Sequence, residues 1–398
     1  MSAEVQPDAL AILGFDPFHR SFHADPYAQY RRLSAAGPLQ QTPFGLWVTT
    51  SYDLCQRVLR EPRFGHRPEN GDWRGREAPR RSFLTMDPPD HTRLRRLVSK
   101  AFTARLIERL RPRIEQLVDD LLAGASGAVD LIATLAYPLP VILISELLGV
   151  PPEDRDRFKH WSDALARGLD PGFLLPAADV AERDQARLEF GAYFRELIVL
   201  RRTDPRDDLL SALVAVSDGG DVLTEEELLA TCVLLLVAGH ETTVNLIGNG
   251  ALALLRNPGE LAWLRAHPEA ASAAVEELLR YDPPVQLTLR SALEDAEFAG
   301  ATIKQGEMLL LLTGAANRDP TVFGDPDRLD LRRPPSGHLS FGLGIHFCLG
   351  APLARLEGEI ALTRLFRREV SLASGDLAYR DNVVLRGLAA LPVHITPA

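Results

Sequence analysis

Apolar residues recur at helical spacing through most of the middle of the chain, from Ala104 to Leu122, Leu139 to Leu148, Glu189 to Arg201 and Glu269 to Tyr281. Pro112 falls inside the first of these and lacks the N–H a helix interior needs, so a break or kink is expected there. Thr224-Glu225-Glu226-Glu227 has the spacing of a capping box and opens a helix predicted to run to about Arg256. Strand-like stretches are shorter. Gln40 to Thr50 reads as a hairpin around Pro43-Phe44-Gly45, and β-type runs return at Val285–Leu289, Glu297–Ile303, Met308–Leu312 and Val383–Ile395. Helices dominate and the order is not an alternating one, so the fold class is mainly α with a small β region.

The long helix carries a misfit. From Leu234 to Leu246 it is apolar on nearly every face and should be buried, yet Ala238-Gly239-His240-Glu241-Thr242-Thr243 lies inside it. An ionised carboxylate buried without a partner costs several kcal/mol or takes up a proton. Glycine costs about 1 kcal/mol relative to alanine in a helix, and threonine hydroxyls can bond back to the preceding turn and bend it. Two readings fit these residues. One is a kinked core helix whose Glu241 meets a hidden arginine; the other is a helix opened locally to make room for chemistry.

Composition narrows the field. A chain of 398 residues could hold two or three domains, but no linker, repeat or low-complexity tract divides it, and a single domain over 1–398 is the expectation. A net charge of −10 speaks against nucleic-acid binding. Cys55, Cys232 and Cys348 are odd in number and far apart, which suits a reducing cytoplasm without disulfides. No basic segment followed by an apolar run marks the first twenty residues, and the apolar stretch from Leu228 to Gly239 is too short to span a bilayer; a cytoplasmic protein with no membrane association is expected.

The chemistry concentrates at Phe341-Gly342-Leu343-Gly344-Ile345-His346-Phe347-Cys348-Leu349-Gly350, which runs into Ala351-Pro352-Leu353-Ala354-Arg355. Pro352 fits the first turn of a helix continuing to Arg367. A thiol at a helix start can fall from roughly 8.5 to about 3.5–7.5 in pKa. Gly344 and Gly350 let backbone amides approach the sulfur. A thiolate held this way can be the axial ligand of a haem iron.

This decapeptide resembles the haem-binding signature of the cytochrome P450 family, with every fixed position filled. The resemblance extends along the chain through His91–Arg95, Ala238–Thr243, Glu277–Arg280 and Pro326–Leu329. It implies a single-domain cytochrome P450 fold, with heme b (iron protoporphyrin IX) between the long central helix and the cysteine-loop helix. Cys348 would ligate the metal, with Phe341, Gly342, His346 and Gly350 forming its loop. His91, Arg95, Arg290 and His346 would meet the propionates, and Ala238 with Gly239 would leave room for dioxygen. Glu241 and Thr242 become the catalytic pair for proton delivery, an arrangement suited to general-acid work. Glu277, Arg280 and Arg328 become an ion network behind the loop, where Leu329 departs from a more usual aromatic residue.

The implied activity is a haem-thiolate monooxygenase that hydroxylates or epoxidises a small-molecule substrate, with secondary-metabolite biosynthesis as the expected setting. Electrons would come from a separate ferredoxin or flavodoxin with an NAD(P)H-dependent reductase, drawn to Arg93, Arg96, Arg111 and Arg113. A peroxide-driven peroxygenase and a non-catalytic docking protein on the same fold are the alternatives. Candidate pocket walls are the Phe64–Leu84 loop, Ala164–Asp179, Val237-Ala238, Gln286-Leu287 and Val383–Leu388. The first holds Arg67, Arg74, Arg76, Arg80 and Arg81 with Trp73 and Phe83.

Overall fold

The Glu227 amide donates to the Thr224 hydroxyl at 3.2 Å, and the Thr224 amide donates to the Glu227 carboxylate at 2.8 Å. The helix opened by that box spans Glu225–Arg256, with three glutamates in its first turn and Arg256 in its last, which suits the helix dipole. The computed structural model describes residues 12–17, 19, 21–66, 82–170, 175–334, 337–373 and 377–396. The chain divides into two compact units.

The helical unit comprises residues 79–275, 349–378 and 387–398. Its centre is Glu225–Arg256, which packs against the helices Pro138–Leu147, Ala351–Leu365, Ala177–Thr203 and Arg155–Arg167. This helix is long and apolar enough to cross a membrane, but 72% of its most apolar window is buried inside the protein. Ala104–Ala123 is continuous through Pro112, so the expected break does not occur. Its buried stripe of Ile107, Ile114, Leu117, Val118 and Leu122 lies on both sides of the proline, and packing on Ala351–Leu365 keeps it helical across the missing hydrogen bond. Gly127–Asp130, Pro392–Ile395 and Val370–Leu372 form a three-stranded antiparallel sheet.

The mixed unit comprises residues 1–78, 276–348 and 379–386. Its sheet runs Gln40–Gln41, Trp47–Thr49, Met308–Leu311, Thr288–Ala292, Phe64–Gly65, with Trp47–Thr49 parallel to Met308–Leu311 and the other pairs antiparallel. The amphipathic helix Tyr52–Arg60 buries Leu54, Cys55, Val58 and Leu59 in one core with Phe64, Phe298, Leu309 and Leu311.

Three predicted strands are corrected, the first being Glu297–Ile303, which is a hairpin of two strands, Ala296–Phe298 and Ala301–Ile303. The run at Val285–Leu289 is displaced: the strand is Thr288–Ala292, and Val285 makes only a lone bridge to Leu385. Pro283 and Pro284 lack the donors a ladder needs. The stretch from Val383 to Ile395 is likewise no single strand, since only Pro392–Ile395 is paired in a sheet.

Candidate functional site

The cysteine loop is built in the mixed unit by a short 3-10 turn, Gly344–His346, followed by extended backbone at Phe347. The Cys348 amide donates to the Phe341 carbonyl at 2.9 Å and the Phe347 amide to the Gly344 carbonyl at 3.1 Å, closing the loop on itself. Gly344 has φ +69°, and a Cβ there would lie 2.4 Å from the Leu59 carbonyl oxygen at the end of Tyr52–Arg60. Only glycine satisfies both the left-handed backbone and that approach. Cys348 itself is half-buried, with Ile345 and Phe347 exposed beside it.

The other two cysteines supply the contrast. Cys55 and Cys232 are sealed in the core, and burial pushes both thiols up, that of Cys232 to about 12. Those are inert packing residues; Cys348, held by a tied loop two residues before the helix cap Gly350, is not.

Behind the loop, Arg280 makes a two-pronged contact with Glu277 at 2.7 and 2.8 Å and donates to the carbonyls of Asn317, Pro326 and Arg328. Asn317 Oδ1 accepts from the Leu339 amide at 2.7 Å, which carries this order into the loop. The expected third member is corrected. Arg328 is exposed and enters through its backbone carbonyl, while the second cation on Glu277 is Arg333 at 3.3 Å. Leu329 is buried, and the aromatic surface under the Arg280 guanidinium is Phe323, 5.4 Å away.

Arg290 lies within the strand Thr288–Ala292, is buried, and donates to Thr288 Oγ1 and the Leu289 carbonyl. His346 meets the edge of His66 with ring centroids 4.7 Å apart. Sequence reasoning passed over His66, which follows the strand Phe64–Gly65 paired to the one carrying Arg290. Its only sequence signal was a histidine beside a strand end.

In the helical unit, His91 and Arg95 share one face of Asp90–Ala101 as the four-residue spacing requires. His91 is buried, and burial followed by the Arg95 charge holds its imidazole below the ordinary histidine range. Arg95 stands over the Phe83 ring at 5.4 Å. Arg93 is engaged within the chain: it binds Asp221 at 2.8 Å and Glu227 at 2.5 Å, tying this helix to the capping box of the long helix. Arg111 and Arg113 are engaged likewise, with Glu359 and Glu146. The distant carboxylates that claim these arginines have no signature in the local sequence.

Between Leu228 and Leu254 the long helix is buried except at Ala238, which is exposed, and at Val233, Leu234, Gly239 and Thr242, which are half-covered. Thr242 Oγ1 donates to the Ala238 carbonyl at 2.7 Å and Thr243 Oγ1 to Gly239 at 3.2 Å, the back-bonding that threonines make in helices. A Cβ on Gly239 would touch Ile144 at 3.4 Å, so this glycine seats a neighbouring helix and Ala238 is the open position. Glu241 is buried with His240 Nε2 at 4.0 Å, and Asp163 joins them, one ligand-type atom of each lying within 4.8 Å of the others.

Of the proposed pocket walls, Gln286 is a scaffold residue. Its Nε2 donates to Pro283 and its Oε1 lies where a Cβ on Gly314 would be. Arg67, Trp73, Arg74, Arg76, Arg80 and Arg81, with 171–174 of another wall, lie outside the described residues.

By donor chemistry, the mixed unit taken by itself suits a haem: it carries a half-buried thiol on a loop closed by backbone hydrogen bonds, with a buried arginine and a histidine pair. The helical unit, taken by itself, carries the basic pair His91 and Arg95, and small and hydroxyl residues less covered than the rest of the long helix.

Comparison with known proteins agrees. Residues 264–375 match the family model Cytochrome P450. The chain is 45% identical to cytochrome P450 monooxygenase PikC of Streptomyces venezuelae, over 96% of this chain and 94% of that one. It is 45% identical to vitamin D(3) 25-hydroxylase of Pseudonocardia autotrophica, over 96% of each. Among solved structures, the bacillaene polyketide synthase cytochrome P450 PksS of Bacillus subtilis 168 superposes with a TM-score of 0.88 at 41% identity, covering 96% of this chain and 100% of that chain.

Proposed function

From the premise that this chain belongs to the cytochrome P450 family and is a P450 monooxygenase, we propose that Cys348 is the axial thiolate of its haem and that Glu241 and Thr242 carry protons during dioxygen activation. Family membership implies the haem and its cysteine ligation; when bound, the haem supplies the oxidising chemistry. The observation that carries the assignment is the contrast among three cysteines, two sealed in core and one presented on a loop tied at both ends. Phe341, Gly342 and Gly350 shape that loop. We assign His91, Arg95, Arg290 and His346 as the cations and imidazoles that would meet anionic propionates, with the ring contact of His66 supporting the orientation of His346.

Glu241, buried beside His240, is the carboxyl we assign to carry the proton. Thr242 has committed its own hydrogen to Ala238, so its lone pairs are what it presents, and it accepts and passes on a proton. Ala238 keeps the helix surface beside that hydroxyl open.

The substrate is a small organic molecule, and the naming of PikC as a monooxygenase, of PksS for a polyketide synthase and of a vitamin D(3) hydroxylase supports hydroxylation of a largely apolar natural-product scaffold. Electrons come from a separate ferredoxin or flavodoxin and its reductase, in the cytoplasm. The test is the reduced carbon monoxide complex. Wild-type protein is expected to show the red-shifted Soret band of thiolate ligation, and Cys348→Ser to lose it. A wild-type complex without that band overturns the ligand assignment. Spectral titration against macrolactones, sterols and fatty acids then ranks the substrate classes.

A further inference from the structure

We propose that His240 is the positioning residue of Glu241 and the group that reloads it with protons, drawing on Asp163; this rests on the reading of Glu241 as a proton carrier. His240 is fully buried beside Glu241, with Nε2 4.0 Å from Glu241 Oε1. Its other nitrogen, Nδ1, lies 2.6 Å from Ser162 Oγ, also fully buried. The edge of Tyr137 meets the imidazole with centroids 4.9 Å apart and fixes the ring plane. The Tyr137 hydroxyl donates to Asp163 at 2.7 Å, and Asp163 is only half-buried. Lys159, exposed, stands over the Tyr137 ring at 4.8 Å. Among the described residues, the titratable groups around His240 include Lys159 and Asp163 from Arg155–Arg167, Tyr137 from the turn before Pro138–Leu147, and Glu241 from its own helix.

The choice of serine makes this cluster more than packing. A hydroxyl donates to the lone pair of a neutral imidazole and accepts from the N–H of an imidazolium. His240 can therefore gain and lose a proton without losing the bond that orients it. Nε2 faces the Glu241 carboxyl across 4.0 Å, which a side-chain movement of roughly 1 Å brings within hydrogen-bond reach. After Glu241 gives up its proton, the imidazolium passes one from Nε2 to Glu241 Oε1. The Asp163 carboxyl then reprotonates Nε2, and solvent restores Asp163. One proton moves inward, and no electron is transferred.

The experiment uses the haem-loaded protein with spinach ferredoxin, its reductase and NADPH in air-saturated buffer, without added substrate. It measures hydrogen peroxide released per NADPH consumed, the remaining electrons going to water. His240→Gln, which keeps a hydrogen-bonding amide but carries no exchangeable imidazole proton, is expected to raise that ratio at least twofold and to flatten its change between pH 6 and 8. Ser162→Ala is expected to fall between His240→Gln and wild type. The red-shifted carbon monoxide band must persist in every variant, which separates these effects from misfolding. A wild-type ratio and pH profile in His240→Gln, while Glu241→Gln releases more peroxide, overturns the inference alone. A wild-type ratio in Glu241→Gln overturns the proton-carrier reading beneath it.

Discussion

Gly342 and Gly344 both have positive φ, at +64° and +69°, but what a side chain would meet differs sharply between them. At Gly342 the nearest atom to an added Cβ is the His346 carbonyl oxygen at 3.9 Å, an ordinary contact. Gly342→Ala therefore carries only the left-handed backbone cost of about 1–2 kcal/mol. At Gly344 the same cost is joined by a 2.4 Å approach to the Leu59 carbonyl, with Arg60 Cα at 3.5 Å behind it. Backbone at the end of a packed helix cannot yield as a flexible side chain would. The loop must leave Tyr52–Arg60 or the helix end must distort. The expected penalty is about 3 kcal/mol or more, adding an overpacking cost of about 1–3 kcal/mol to the backbone strain.

Hydrogen exchange across the loop reads this directly, because the amides of Phe347 and Cys348 are protected by Gly344 and Phe341 carbonyls. Gly342→Ala is expected to speed their exchange by about 5–30-fold, the population change that corresponds to 1–2 kcal/mol. Gly344→Ala should exceed 100-fold, since each 1.4 kcal/mol is about a factor of ten. Haem transfer to apomyoglobin should rank the two variants the same way. Equal exchange rates in both variants would refute the argument that contact with Leu59, rather than glycine's backbone freedom alone, fixes the loop.

Other outcomes follow from single residues. Glu357 on Ala351–Leu365 is buried, Oε2 has no hydrogen-bond partner among the described residues, and burial raises its carboxyl well above the usual range. The folded state keeps that proton while the unfolded chain releases it above about 4.5, so stability should fall as pH rises between the two values. Glu357→Gln should remove that slope and gain on wild type from pH 5 to 9, as read by thermal melts; parallel curves would count against it. Arg93→Glu should destabilise by about 1–2 kcal/mol, because it puts like charge against Asp221 and the capping-box Glu227, whereas Arg96→Glu, at an exposed position, should leave denaturant midpoints unchanged. Thr242→Ala should divert electrons to peroxide with the carbon monoxide spectrum intact, and a fully coupled variant would contradict its role.

The periodic and the capped parts of the fold were legible because their causes are local. Thr224 and Glu227 announce one end of the long helix, and apolar residues on nearly every face mark it as buried. The shape of the cysteine loop was legible at Gly344, where a left-handed backbone and the approach of Leu59 admit only glycine. The misses share a different cause. Helix Ala104–Ala123 survives Pro112 through partners more than two hundred residues away, the strand near Arg290 takes its limits from Met308–Leu311 and Phe64–Gly65, and Arg333 displaces Arg328 through a turn geometry that no spacing rule contains. Arg93 reads as a surface charge until Asp221 folds back on it.

Two buried glutamates show how much of the chemistry lies in what surrounds a residue. Glu357 sits among apolar neighbours on Ala351–Leu365, and its proton has nowhere to go; it is a neutral packing group at ordinary pH. Glu241 is equally hidden, yet its neighbour is an imidazole that a serine holds in either charge state, and beyond the imidazole lies a half-buried aspartate. Burial raises the energy of charge at both sites. Only at Glu241 is there a described group beside it able to return a proton once one is lost. The sequence marks only Glu241 as an acid in an apolar helix, since Glu357 shares its helix with Arg355, Glu359 and Arg364, and His240 with Ser162 accounts for the difference in what the two can do.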